Sequence, residues 1–210
     1  MIKVEHVTKK FKEKKVLQDV CVHFEKGKIS GIIGRNGSGK TMLMKCICGF
    51  VLPTSGTVEV DGTYIGKDVD FIENTGVIIE TPGFISYQSG MENLRNLASI
   101  RKKIGRKEIE KSMEAVGLDP YSKQHVGKYS LGMRQRLGIA QAIMEEPDIL
   151  ILDESMNGLD NRGVEDIRKI LLDLKEQGKT ILIASHNRDD IDILCDHVWE
   201  MDQGMAQQIR

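Results

Sequence analysis

The octapeptide GRNGSGKT at 34–41 fills every fixed position of the pattern G-x-x-x-x-G-K-[ST]. It follows an apolar run that reads as a strand, KISGII (28–33), and opens an apolar helical run, TMLMKCICGF (41–50). Strand, glycine loop and helix in that order dictate a local geometry. Gly34, Gly37 and Gly39 allow the backbone to curl until successive N–H groups face inward, where phosphate oxygens can be held. The helix start adds the positive end of its dipole. Lys40 is then placed for the β- and γ-phosphates, and the Thr41 hydroxyl for Mg²⁺. Gly34, Arg35, Asn36, Gly37, Ser38, Gly39, Lys40, Thr41 and the following Met42 are the candidate nucleotide contacts. A glycine turn with no ligand is the competing reading of the eight residues alone.

The remaining pattern is that of an α/β chain. Strand-like runs occur at 2–7, 15–24, 56–62 and 76–79, and again at 148–153 and 180–185. Between the last two lies a helix with Val164, Ile167, Leu171 and Leu174 on one face. HVWEMDQGMAQQI (197–209) reads as two strands about a Gln203-Gly204 turn. Strands alternating with helices imply a mainly parallel sheet covered on both faces. From about 86 to 146 the pattern is helical: Ser89 and Glu92 have capping-box spacing, Ile109, Met113 and Val116 share a face, and a further helix opens at Ser130. The expected division is one domain over 1–210, with 1–85 and 147–210 as the core and 86–146 as a helical insertion.

DILILDE (148–154) is an apolar strand ending in two carboxylates. Asp153 falls at the C-terminal edge of the sheet, where ligands of α/β folds bind, and is a candidate for Mg²⁺. Glu154, one residue beyond, is the candidate general base. A plain acidic strand end is the alternative when the pair is taken alone.

Composition narrows the partners. A net charge of −1 gives no electrostatic reason to expect nucleic acid, and no run approaches the 18 apolar residues of a membrane helix. The N-terminal MIKVEHVTKK lacks the apolar centre of a signal peptide. Cys21, Cys46, Cys48 and Cys195 are too few and scattered for a disulfide framework and read as buried, reduced thiols of a cytoplasmic protein.

KYSLGMRQRLGIA (128–140) carries a specific resemblance. Ser130, Gly132, Gln135 and Arg136 before an apolar helix resemble the Leu-Ser-Gly-Gly-Gln signature of ABC-type ATPases. Tyr129, Leu131 and Met133 depart from it, while Ser130 and Gly132, nearest to the anion role, remain. A serine cap at a helix start can grip a γ-phosphate. In that family the phosphate belongs to the opposite subunit, so the resemblance implies a head-to-tail dimer enclosing two ATP molecules.

Other family positions follow in order. SMNGLD (155–160) resembles the loop that crosses the dimer interface, with Asp160 also a natural helix cap. Ser185-His186 resembles the switch histidine that contacts the γ-phosphate, and Phe11 stands where an aromatic stacks on adenine, unless it covers the first sheet. The resemblance implies a RecA-like P-loop core with an antiparallel N-terminal β subdomain and an inserted helical subdomain. In VIIETPGFI (77–85) Glu80 occupies the position of a family glutamine that reaches Mg²⁺ and the attacking water, and it is a candidate for both nucleotide and metal contact. Glu80 together with the signature resembles the subgroup of bacitracin and lantibiotic export or self-immunity. The expected function is the ATPase subunit of a transporter with a separate permease chain, held at the inner membrane face only through that chain. It pairs with a second ATPase subunit, identical or different. The alternative is a soluble ABC-fold ATPase of translation or DNA repair. An unrelated P-loop kinase or GTPase would leave the signature and the histidine unexplained.

Overall fold

The computed structural model describes residues 1–210. The N-terminal runs form a long hairpin, β1 (Ile2–Phe11) and β2 (Lys14–Phe24), with Ile2, Val4, Val7, Leu17, Val20, Val22 and Phe24 buried. β1 continues past the expected residue 7. It does so by absorbing irregularities in register between Val4 and Lys10, within which His6 and its hydrogen-bond partner Asp19 take positive φ values of 52° and 51°.

β3 (Ile29–Ile33) leads through the glycine loop into α1 (Lys40–Cys48). β4 (Ser55–Val60) pairs antiparallel with β1, and a two-residue β5 (Thr63–Tyr64), too short to carry a periodic signal, pairs with β4. β6 (Thr75–Ile78) ends two residues before Glu80. The helical block contains α2 (Gly90–Arg101), α3 (Arg106–Ala115) and α4 (Leu131–Ile143). Ser89 and Glu92 form the expected capping box on α2. β7 (Ile149–Asp153), α5 (Asn161–Glu176), β8 (Thr180–Ala184), a short α6 (Arg188–Leu194), β9 (His197–Asp202) and β10 (Met205–Gln208) complete the chain.

Two sheets result. The four-stranded one runs β2-β1-β4-β5 and is antiparallel. The six-stranded one runs β10-β9-β3-β8-β7-β6 and is parallel except for the terminal β9–β10 hairpin. Its faces bury two cores, and the strand alternation sorts residues between them. Leu150, Leu152, Ile181 and Ile183 pack with residues of α2–α5, whereas Ile149, Ile151, Leu182 and Ala184 pack with α1 and the antiparallel sheet.

The cysteines correct one expectation. Cys46 and Cys48 are buried, and burial pushes their thiols up to about 11 and about 12. Cys21 is exposed and Cys195 half-buried, because Cys21 falls on the outward face of β2 between the inward Val20 and Val22.

Candidate functional site

The glycine loop ends in an uncapped helix. Gly39 precedes α1 with φ 113° and offers no side-chain hydrogen bond, and the first turn holds no acidic residue. By contrast Ser89, Ser130, Asp160 and Asn187 each cap their helix with a side-chain oxygen. The first N–H groups of α1 are thus left for a ligand. Gly34 is fixed by space as well as by its φ of 146°: a Cβ there would collide with the Met201 carbonyl and the Ser38 hydroxyl. Lys40, itself buried, donates from Nζ to the Gly34 carbonyl at 2.8 Å and to the Arg35 carbonyl at 3.3 Å, folding back along the loop.

A cleft of about 580 Å³ opens over this loop. Besides Asn36, Gly37, Gly39, Lys40, Thr41 and Met42, its walls include Glu80, Asp153 and Glu154. Thr41 Oγ1 donates to Asp153 Oδ2 at 2.6 Å. Asp153 Oδ1 is buried and has no partner. A hydroxyl beside a buried carboxylate with one free oxygen is an oxygen donor set of the kind that suits Mg²⁺. Burial pushes the Asp153 carboxyl up; the Thr41 hydrogen bond opposes that, and Glu154 and Glu80 add to it.

Glu154 leaves the strand with φ 51°. Its Oε2 lies 2.8 Å from His186 Nδ1 and accepts from Asn157 Nδ2 at 3.2 Å. Gln135 Nε2 donates to the Glu154 carbonyl at 3.2 Å, joining the signature helix to this corner. Glu80, at φ 64°, is drawn to a different partner: Lys45 Nζ donates to its Oε1 at 2.6 Å. Glu80 therefore lines the cleft with its hydrogen bond made to Lys45 and none made to Thr41 or Asp153.

Ser130, Gly132 and Asp160 line a separate cleft of about 880 Å³, which contains no residue of the glycine loop. Ser130 Oγ accepts from the Met133 N–H at 3.1 Å, and Asp160 Oδ1 accepts from the Gly163 N–H at 3.0 Å, so both act as helix caps. The packing of Gly132 beside the Gly158 carbonyl leaves little room for a side chain. Phe11 sits exposed at the hairpin tip with Lys9 Nζ 5.0 Å from its ring centroid, and covers no core. Val16, rather than Phe11, lines the loop's cleft. Sequence reading missed Val16, Lys45 and Asn157. Asn157, three residues after Glu154, was the one with a local signal.

A family model described as "ABC transporter" matches residues 17–157. The chain belongs to the ABC transporter family. The ATP-binding protein YybJ of Bacillus subtilis is 44% identical over 99% of this chain and 95% of its own length. The bacitracin transport ATP-binding protein BcrA of Enterococcus faecalis is 44% identical over 97% of this chain and 67% of its own length. The lantibiotic transport ATP-binding protein SrtF of Streptococcus pyogenes is 34% identical over 94% of this chain and 85% of its own length. Among solved structures, the dimeric bacterial ABC transporter cassette MJ0796 superposes with a TM-score of 0.89 at 24% identity, covering 100% of this chain and 99% of that one. The fold is that of an ATP-binding cassette, the ATP-hydrolysing unit of this family. The relatives above are named as transporter proteins, and none of them favours the translation or repair reading.

Proposed function

We propose that this chain is the ATP-hydrolysing subunit of a transporter whose membrane-spanning part is a separate permease chain. The observation that carries the proposal is the convergence of Lys40, Thr41, Asp153 and Glu154 on one cleft above an uncapped helix start. Lys40 and the α1 N–H groups hold the phosphates. Thr41 and Asp153 would hold Mg²⁺, which supplies charge neutralisation to the phosphates when bound. Glu154 takes the proton of the attacking water, and His186 both orients that carboxylate and reaches the γ-phosphate.

Two subunits face head to tail. Each contributes Ser130, Gly132 and Asp160 to the nucleotide held by the other, as two separate clefts on one chain allow. The Ser130 oxygen already accepts the Met133 N–H, which leaves its O–H free to donate to a phosphate. In this reading 1–85 and 147–210 form the nucleotide core, 86–146 form the signature-bearing insertion, and Phe11 stacks on the base.

No helix is long and apolar enough to cross a membrane. The permease face is assigned to a groove of about 510 Å³ beside the edge strand β6, lined by Phe50, Phe71, Ile79, Pro82 and Leu97. Phe50 and Phe71 are exposed, with ring centroids 6.1 Å apart. The subunit then sits on the inner face of the membrane through its partner. The cargo is a peptide antibiotic handled for export or immunity, supported by the names of BcrA and SrtF and by Glu80.

The test has two stages. The purified chain should hydrolyse ATP, alone or with its permease, and Lys40→Ala should abolish both binding and turnover. Chain and permease expressed together in a sensitive host should raise resistance to bacitracin or a lantibiotic. Unchanged nucleotide affinity in Lys40→Ala would remove the phosphate role of the loop.

A further inference from the structure

Nucleotide binding and hydrolysis as described leave Lys45 without a task. This residue lies in the last turn of α1, the helix that starts at the glycine loop. Its Nζ is 2.6 Å from Glu80 Oε1, and the two side chains are 26% and 67% exposed. Both line the loop's cleft. The charged residues of that cleft are two lysines, Lys40 and Lys45, against three carboxylates, Glu80, Asp153 and Glu154. Formal charge is thus −1, and would be −2 without Lys45. A polyphosphate must enter that field, and an uncompensated carboxylate at the rim opposes it.

We infer that Lys45 is the positioning residue that makes a glutamate at position 80 compatible with a polyphosphate ligand. It neutralises the Glu80 carboxylate and ties it to α1, holding it away from the Thr41–Asp153 pair. The inference rests on the nucleotide reading of the cleft. Its signature is conditional: Lys45 matters when residue 80 is charged and ceases to matter when it is neutral. A lysine that only packs along α1 would show no such dependence.

A double-mutant cycle tests this in the full chain. Lys45→Met, Glu80→Gln and the double variant are titrated with Mg²⁺ and a non-hydrolysable ATP analogue by calorimetry. With Glu80 in place, Lys45→Met should weaken binding roughly threefold to fivefold, the range of a partly exposed charge pair. In the Glu80→Gln background the loss should be below about 1.5-fold, within the additivity of independent sites. High salt should shrink the first effect, and Lys45→Arg should bind as the wild type does. Thermal melting checks folding, and Lys45→Gln serves as a second neutral variant. An equal loss in both backgrounds, or none in either, overturns the role of Lys45. If Lys40→Ala also leaves binding unchanged, the nucleotide reading itself has failed; if Lys40→Ala abolishes binding, only the Lys45 inference falls.

Discussion

The carboxylate of Glu154 and the imidazole of His186 meet at 2.8 Å because β7 and β8 run parallel with Asp153 opposite Ala184. Each strand delivers its next residues to the same corner of the sheet edge. The histidine is exposed while the carboxylate is mostly covered, so the imidazole closes the outer side of the base.

Glu154→Gln removes the proton acceptor and keeps the shape. Turnover should fall about 10²–10⁴-fold while ATP affinity is retained. Single-turnover hydrolysis together with equilibrium ATP binding checks both halves. Near-normal turnover would take Glu154 out of catalysis.

For His186→Ala the loss should fall on kcat, about 10²-fold, with KM little changed, as for removal of a donor that acts in the transition state. Steady-state kinetics at saturating Mg²⁺ distinguishes this outcome from a simple binding defect.

Asp153 should show opposed effects on stability and activity. An acid whose folded pKa lies above its unfolded one is disfavoured as the ion within the fold. Its cost is therefore absent below the ordinary carboxylate range, grows as pH rises from there to the elevated value, and is constant above it. Asp153→Asn keeps an acceptor for Thr41 and discards the buried charge. It should raise the Tm of the nucleotide-free chain near neutral pH, while abolishing Mg²⁺-dependent hydrolysis. A lower Tm in calorimetric melting would contradict this.

Ser130 has two tasks that substitution can separate. Ser130→Ala loses the cap on α4 and should cost about 0.5–2 kcal/mol of stability. Ser130→Asp restores a good cap and adds a charge that repels a phosphate. The aspartate variant should melt like the wild type yet form no ATP-dependent dimer on size exclusion. A dimer of normal strength would assign Ser130 to capping alone.

How much of this could be read from the chain depends on the range of each interaction. GRNGSGKT, the caps at Ser89, Ser130 and Asp160, and the acidic end of β7 are local, since their partners lie within a few residues or one element. The contact of His186 with Glu154 needed the adjacency of β7 and β8, which strand patterns do not encode. The Lys45–Glu80 pair needed more, because 35 positions separate the two and Lys45 falls within no motif. Val16 at the cleft wall was hidden for a related reason: irregular β1–β2 pairing decides which side chains overhang the cleft.

The two walls of the cleft differ in how the sheet holds them. The glycine loop springs from β3, which is hydrogen-bonded to β8 on one side and β9 on the other, whereas Glu80 follows β6, bonded to β7 alone. Amides of 29–33 should therefore exchange with solvent only on global unfolding, and those of 75–78 through smaller openings. One jaw is clamped to the frame and the other rides on a free rim, beside the groove assigned to the permease. In the proposed reading, movement set off by the nucleotide would be released where the molecule yields first, on the side where it can act on a neighbour.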